Sequence, residues 1–163
     1  LDGPLPQDRT HYIKAYGSYA FPFGLTVGLT AYCRSGLPRS SYLNINNTYM
    51  YPYGYGDLGR LPWAAWADLY LEYTLRFAHR YSFSINAQIN NVTNTKSITG
   101  KSNTLNRVSI WADDVEFLDG TLVQDLQNRI DASDPGYPAS PAFNMWTSRM
   151  DAWSARLGFK FSF

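Results

Sequence analysis

The feature that most constrains the fold is a strict alternation of apolar and polar residues in five segments of about ten residues each. The segments span residues 12–21, 25–34, 68–77, 82–90 and 153–163. Successive side chains of a β-strand point to opposite faces of a sheet, so this period of two indicates strands with one apolar and one polar face. About ten residues is the length that a tilted strand needs to cross a bilayer, whereas a typical soluble strand has about five or six. The pattern therefore predicts an all-β fold and favours an antiparallel transmembrane β-barrel.

Composition agrees with short, half-buried strands and excludes two other classes. Aromatic residues make up 17% of the chain, and charged residues also make up 17%, against about 25% in ordinary domains. No stretch approaches the roughly 18 consecutive apolar residues of a spanning helix. The formal net charge is +1, so we expect no nucleic-acid partner.

The polar faces of the five segments favour a wet interior over bulk solvent. They mix Ser, Thr, Asn, Gln and Tyr with isolated charges of both signs, as the lumen of a barrel does. A soluble β-sandwich binding module, whose polar faces would carry mainly long charged residues, stays open as an alternative. The charged residues expected to balance the lumen are Lys14, Arg34, Asp68, Glu72 and Arg76.

Short and long connections alternate along the chain, as periplasmic turns and extracellular loops do in outer-membrane barrels. The links at 21–24 and 77–80 are short, and the segments 35–62 and 92–147 are predicted to be long extracellular loops. Bacterial barrels need at least about eight strands, so five cannot close one. We therefore expect residues 1–163 to be the carboxy-terminal part of a single barrel domain whose signal peptide and earlier strands lie outside this sequence.

The end of the chain resembles the signal by which the outer-membrane assembly machinery recognises its clients. That signal reads polar-x-Gly-x-x-apolar-x-aromatic, and Arg156, Gly158, Phe161 and Phe163 fit its positions. The resemblance implies that the barrel-assembly machinery is a partner during biogenesis. An amphipathic edge strand that happens to end the chain is the alternative.

Several short motifs follow one another in a characteristic order along the chain. They are Asp8-Arg9 followed by Lys14, Ser35-Gly-Leu-Pro38, Gly59-Arg60-Leu-Pro62, Asp68-Leu-x-Leu-x-Tyr73 and Ile89-Asn-Asn-Val-Thr-Asn94. Together with the terminal Phe, they resemble the carboxy-terminal end of TonB-dependent receptors, in particular the Oar-like branch, over nearly the whole chain except about 95–147.

The resemblance implies a 22-stranded barrel in the outer membrane of a Gram-negative bacterium, plugged by an amino-terminal domain and taking up an unidentified ligand. It thereby implies the plug as the other possible contact of Lys14, Arg34, Asp68, Glu72 and Arg76. Its expected partners are outer-membrane lipid, the remaining barrel strands, and TonB through the missing plug region. A structural or adhesive barrel that binds a partner protein through its extracellular loops is the alternative function.

The first long loop carries four alternating tyrosines, Tyr49, Tyr51, Tyr53 and Tyr55, as possible ligand contacts. Tyrosine offers a rigid amphipathic ring and a hydroxyl, which suit the recognition of small polar ligands. Their alternation favours a different interpretation, in which the rings pack within the loops or extend a strand and its aromatic girdle.

The second long loop is acidic, with carboxylates at Asp113, Asp114, Glu116, Asp119, Asp125, Asp131 and Asp134. Calcium needs several oxygen ligands at short spacing, but the twelve-residue calcium-loop pattern is absent, so we predict a solvated loop and no metal site. Within it, Leu122, Val123, Leu126 and Ile130 recur at helical spacing after Thr121 and predict a short amphipathic helix.

Nothing in the sequence favours an enzyme, and we predict no catalytic residues and no cofactor. His11 and His79 fall at opposite ends of the predicted barrel and so share no metal or triad. Asp68 and Glu72 lie on one face of one strand, where acid–base work is conceivable, but a charge-balanced lumen is the favoured interpretation. Cys33 has no cysteine partner and is predicted to be an inert side chain facing lipid.

Overall fold

The computed structural model describes residues 3–77, 81–107, 109–111, 124–126, 128 and 139–163. The strands in these ranges are β1 (Tyr12–Ala20), β2 (Leu25–Arg34), β3 (Leu43–Ile45), β4 (Thr48–Met50), β5 (Ala64–Phe77), β6 (Tyr81–Asn90), β7 (Ile98–Lys101), β8 (Trp146–Arg149) and β9 (Ser154–Ser162). Gln124, Asp125, Leu126 and Asn128 are helical. Among the described residues, no helix is both long and apolar enough to cross a membrane.

The five long strands form one antiparallel sheet in the order β1-β2-β5-β6-β9. They coincide with the five alternating segments, so the prediction of an all-β, antiparallel fold is confirmed. The sheet is open, with β1 and β9 as its edges. Strand β5 begins at Ala64, four residues before the alternation indicated, because Ala64 and Ala65 continue the pairing with Arg34 and Cys33 of β2. Alanines on both faces hide the period of two at that end.

The register of the sheet aligns the apolar residues of neighbouring strands on one face. Ile13 lies opposite Cys33, Leu29 opposite Leu69, Leu71 opposite Ala87, and Ile85 opposite Phe159. A slip of one residue at any pair would move one strand's apolar side chains to the polar face. The apolar face is therefore continuous across all five strands, and so is the polar face.

The tight turn between β1 and β2 depends on Gly24. This residue has a φ of 97°, a left-handed conformation that residues with a Cβ rarely adopt. A Cβ at this position would lie 2.5 Å from the carbonyl oxygen of Thr74, while the Thr74 amide donates a 2.9 Å hydrogen bond to the Gly24 carbonyl. Glycine thus allows the turn to lie against β5.

The chain divides into two compact units. One, here called the sheet unit, comprises Arg9–Gly36, Pro62–Ile98 and Arg149–Phe163. The other, here called the loop unit, comprises Leu1–Asp8, Leu37–Leu61 and Thr99–Ser148. The loop unit therefore gathers most of the two segments that were predicted to be long loops.

The buried apolar cluster of the described residues lies in the loop unit. Leu43, Ile45, Ile110 and Leu126 are each at most 4% exposed, and Met50 and Leu105 pack against them. Leu43 and Ile45 come from β3, which pairs with β4 in a hairpin. The sequence did not predict this core, because strands of three residues are too short to show a period of two. The predicted loops instead form a compact body with an interior of its own.

Candidate functional site

The apolar face of the sheet unit is exposed, although it carries most of that unit's large apolar side chains. Its members at least 36% exposed include Ile13, Tyr19, Leu29, Tyr73, Leu75, Phe77, Ile85, Leu157, Phe159 and Phe161. Leu157 and Phe159, at 72% and 68%, are the most exposed of these. Monomeric soluble proteins rarely show a continuous apolar surface of this kind. The face is therefore a candidate contact surface for an apolar environment.

Aromatic rings border the apolar face at the end where the short turns lie. The rings of Tyr19 and Phe21 are 4.8 Å apart, and Tyr81 stacks on Phe161 at 6.1 Å. At the opposite end, Trp63 and Trp153 directly precede β5 and β9 and are 52% and 56% exposed, and continued alternation would put both on the apolar face. Two aromatic bands thus bracket the apolar centre of the face.

The four residues of the predicted assembly signal lie on or beside the edge strand β9. Arg156 is opposite Gln88 on the polar face, and Gly158 is opposite Asn86. A Cβ on Gly158 would lie 2.6 Å from Asn86 Oδ1, so glycine leaves room for that amide. On the apolar face, the ring of Phe161 lies 6.3 Å from that of Phe163. Recognition of these residues by an assembly machinery stays a prediction.

The register places all five predicted lumen residues on the polar face. The pairs are Lys14 with Tyr32, Arg34 with Ala64, Asp68 with Thr30, Glu72 with Thr26, and Arg76 with Ser82. The structure thus brings them onto one surface, spread over three strands. Whether that surface faces a lumen or a plug stays a prediction.

The two carboxylates of the polar face are held by neighbouring groups. Tyr70 donates its hydroxyl hydrogen bond to Glu72, and the Thr74 hydroxyl donates to Glu72 Oε1 at 3.3 Å. Asp68 Oδ1 accepts a 2.8 Å hydrogen bond from the backbone amide of Asn91. Glu72 is therefore linked to two neighbours on its own strand, and Asp68 to the residue that follows β6.

Asn91 links two chain segments by hydrogen bonds at the loop end of the sheet. It is 6% exposed and has a φ of 50°, a conformation that asparagine tolerates better than most residues. Its Nδ2 donates to the carbonyls of Thr95, at 3.0 Å, and Asp151, at 2.8 Å, while Oδ1 accepts from the Thr95 amide at 3.0 Å. One side chain thereby joins the end of β6 to the chain that enters β9. The sequence singled out this asparagine motif, but not this role.

Two other motifs that are distant in sequence also meet within their units. In the loop unit, Arg60 forms a 2.5 Å salt bridge with Asp8 and donates a 2.9 Å hydrogen bond to the Asp8 carbonyl. In the sheet unit, Arg9 Nη1 donates to the carbonyl of Ser35 at 2.5 Å. These contacts therefore join the chain segment that precedes β1 to residues that follow β2 in the sequence.

The tyrosines proposed as ligand contacts form ring pairs within the loop unit. Tyr49 lies 4.7 Å from Tyr42, and Tyr51 lies 4.8 Å from Tyr55. These contacts are what the loop-packing interpretation expects, although Tyr49 and Tyr53 remain 61% and 55% exposed. Ligand contact by these rings stays a prediction.

A buried arginine in the loop unit was missed by the sequence reasoning. Arg39 is 8% exposed and donates from Nε and Nη2 to Asn103 Oδ1 and from Nη1 to Asn144 Oδ1. Burial lowers the pKa of Arg39, and the nearby Asp57 carboxylate opposes that shift. The asparagines lie 64 and 105 residues away, so no local pattern marks the network.

Part of the second loop lies outside the described residues. This applies to the carboxylates Asp113, Asp114, Glu116, Asp119, Asp131 and Asp134, and to Thr121, Leu122, Val123 and Ile130. His79, in the short link between β5 and β6, also lies outside the described residues. Of the predicted helix, Leu126 is described and buried, and Gln124 donates a 3.0 Å hydrogen bond to Asn128 one turn later. Within the described ranges, no group of three or more His, Cys, Asp or Glu residues is placed to hold a metal ion.

Two residues considered for chemistry have structural surroundings. His11 stacks on Trp63, with ring centroids 5.7 Å apart. Cys33 is a free, half-buried thiol on the apolar face, opposite Ile13 and Ala65. Neither residue adjoins a cluster of other reactive side chains among the described residues.

The fold and its two-faced sheet define an antiparallel β-protein with an exposed apolar surface. Comparison with protein-family models, with curated proteins and with solved structures finds no match for this chain.

Proposed function

We propose that the sheet unit is a five-strand section in the wall of a larger β-barrel in the bacterial outer membrane, and that this barrel is a TonB-dependent transporter that takes up an unidentified ligand. The observation that carries the proposal is the continuous, exposed apolar face bracketed by two aromatic bands. Facing lipid, such a surface needs no protein cover, and its aromatic rings lie at the two membrane interfaces.

The spacing of the aromatic bands supports a membrane span. Trp63, which directly precedes β5, and Tyr73 within β5 are ten residues apart, and Trp153 and Phe163, which flank β9, are also ten residues apart. At about 3.3 Å per residue, ten residues extend about 33 Å. For strands tilted by about 35–45°, this corresponds to a height of about 23–27 Å, close to the roughly 25 Å apolar band of outer-membrane barrels.

The open edges of the sheet support a larger barrel. Strands β1 and β9 are nine residues long, and among the described residues each has a neighbouring strand on one side only. Inside a bilayer, every unpaired backbone amide and carbonyl costs several kcal/mol, so a lipid-exposed sheet edge is not viable. Further strands of the same barrel are the partners that would satisfy both edges.

Uptake rests on the resemblance of the motifs to TonB-dependent receptors, together with a polar face that suits a wet lumen. The plug and the segment that contacts TonB would come from upstream sequence. Determining the full coding sequence tests this part: a plug domain and a TonB-contacting segment support transport, and a barrel without them refutes it.

The membrane part is tested by the accessibility of alternate residues in the full-length gene product, reconstituted in lipid. In a Cys33→Ala background, spin labels are placed at Leu29→Cys on the apolar face and at Thr30→Cys on the polar face. We expect the label at position 29 to collide with oxygen dissolved in lipid, and the label at position 30 to collide with a water-soluble nickel reagent. Equal accessibility at both positions, or a monodisperse protein that folds without detergent, would refute the proposal and favour the soluble β-sandwich.

A structural or adhesive barrel is the second candidate, and the compact loop unit favours it. Trp111 and Met145 of this unit are 73% and 60% exposed, and Tyr49 is 61% exposed. Exposed aromatic and methionine side chains are enriched in protein-binding surfaces. A barrel that lacks a plug but loses partner binding when Trp111 is replaced by Ser would establish this function in place of uptake.

A further inference from the structure

The polar face of the sheet unit carries more cations than carboxylates. Its charged strand residues, assigned by register, are Lys14, Arg34, Arg76, Arg156, Lys160, Asp68 and Glu72. Five positive and two negative groups leave an excess of three positive charges on one surface. The chain as a whole has a net charge of only +1, so the excess is a property of this face.

The two carboxylates do not neutralise these cations. None of the five cations forms a salt bridge with a carboxylate in the part of the chain that the structure describes. Asp68 accepts from the Asn91 amide, and Glu72 accepts from Tyr70 and Thr74. The positive charges therefore remain available to a ligand.

Aromatic rings, rather than carboxylates, hold two of the cations in place. Lys14 Nζ lies 5.6 Å from the ring centre of Tyr16 and 5.3 Å from that of Tyr32. The guanidinium of Arg34 lies 4.8 Å from the ring centre of Trp66. Tyr32 and Trp66 stack on each other at 4.7 Å. Cation–π contacts position a cation while leaving its charge intact, which is what anion recognition requires.

The arrangement around Arg34 leaves a buried donor without a partner. Arg34 Nε is shielded from solvent and makes no hydrogen bond with the described residues. Arg9, whose Nη1 donates to the Ser35 carbonyl, lies close enough for its pKa to be lowered by burial and by the charge of Arg34. Arg9, bonded to the residue that follows Arg34, thus lies with Arg34 at the loop end of β2, and neither arginine forms a salt bridge among the described residues.

A depression of about 540 Å³ lies on the polar face beside the rings of Tyr16 and Tyr32, which also contact Lys14. Its lining includes Tyr16, Tyr32 and Tyr70, the small residues Ser18 and Gly28, and one charged residue, Asp68, whose Oδ1 accepts the Asn91 amide hydrogen bond. This volume falls within the range of small-molecule sites, which is about 300–1,000 Å³. Ring faces beside the Lys14 ammonium group suit a molecule that has both a carbon skeleton and negative charges.

We propose that Arg9, Lys14 and Arg34, with the rings of Tyr16, Tyr32 and Trp66, form a binding site for a small organic polycarboxylate. Arginine forks match carboxylate geometry, and the tyrosine-lined depression receives the carbon skeleton. This favours an organic anion over inorganic phosphate. The inference deepens the proposed function. It rests on that function only for the claim that the anion is a transported ligand, because the binding site itself lies within three adjacent strands.

The test is calorimetric titration of the folded full-length protein in detergent with citrate, at low salt, with inorganic phosphate and neutral inositol as comparison solutes. We expect Lys14→Gln and Arg34→Gln each to weaken citrate binding by about tenfold, as the loss of a charge-assisted hydrogen bond does. Lys160→Gln makes the same charge change on the same face, away from the rings, and is expected to alter affinity by less than about twofold. Near-ultraviolet circular dichroism checks that each variant is folded.

Citrate affinity that is absent, or unchanged in both site variants, overturns the proposal. An equal loss in Lys160→Gln also overturns it, because it reveals diffuse attraction in place of a site. Phosphate binding as tight as citrate rejects the organic ligand. These outcomes are distinct from failure of the membrane proposal, which is decided by the accessibility of positions 29 and 30 whether or not citrate binds.

Discussion

Replacing Asn91 with Ala is expected to loosen the junction between β6 and β9. The change removes three hydrogen bonds to backbone groups, two to the carbonyls of Thr95 and Asp151 and one from the Thr95 amide. Each such bond contributes about 1 kcal/mol net. Alanine at a φ of 50° adds about 1 kcal/mol, because it lacks the short polar side chain whose local hydrogen bonds let asparagine tolerate the left-handed region. The free energy of unfolding should therefore fall by about 4 kcal/mol.

Asn94 provides the matched control. It has a φ of 51°, nearly the same as that of Asn91, but its side chain makes none of those backbone hydrogen bonds. Asn94→Ala should therefore cost only about 1 kcal/mol. The measurement is urea unfolding of the full-length protein in detergent, followed by tryptophan fluorescence, for both variants. Equal destabilisation by Asn91→Ala and Asn94→Ala would refute the reasoning, because it would mean that the side-chain hydrogen bonds of Asn91 contribute nothing to stability.

Two further predictions concern the turn and the loop unit. Gly24→Ala should destabilise the protein by about 2–3 kcal/mol in the same urea assay, because the added Cβ would collide with the Thr74 carbonyl. Gly59→Ala is the control: Gly59 has a φ of 68°, but a Cβ there would meet no atom within 4 Å, so the change should cost about 1 kcal/mol. Similar losses for the two glycines would contradict the steric argument. Leu43→Ala should remove about 2–5 kcal/mol of local stability, since Leu43 is fully buried, and amides of β3 should then exchange hydrogen faster. Leu157→Ala, at a side chain that is 72% exposed, should leave the hydrogen exchange of the β3 amides unchanged. Faster exchange of the β3 amides in Leu157→Ala would contradict the division of the chain into separate units.

The sequence predicted the long strands well because their signal is local. In β9, alternating residues such as Leu157 and Phe159 indicate both the strand and its apolar face, whichever strand it pairs with. The pairings of β1 with β2 and of β5 with β6 also follow, since short links join those strands, whereas the pairings of β2 with β5 and of β6 with β9 cross the long loops. The start of β5 was misjudged by four residues, because Ala64 and Ala65 carry no contrast between the faces.

The candidate site was predicted only in part. Lys14 and Arg34 were assigned to the polar face from their positions in alternating strands, and the register agrees with that assignment. Their placement over Tyr32 and Trp66 depends on which strands are neighbours and on the register between them. Trp66 lies in a part of β5 where the alternation gave no signal, so its role was not foreseen.

By itself, the sequence determined an antiparallel β-sheet with one apolar and one polar face, because side-chain direction along a strand follows from local backbone geometry. The tertiary structure alone decided where the buried core lies, which residues Asn91 fastens, and where the cations gather. Leu43 meets Ile110, and Asn91 meets Asp151, across 60 or more residues of chain. Contacts between such distant segments are fixed by packing and hydrogen-bond geometry in three dimensions, and a period of two residues contains no record of them.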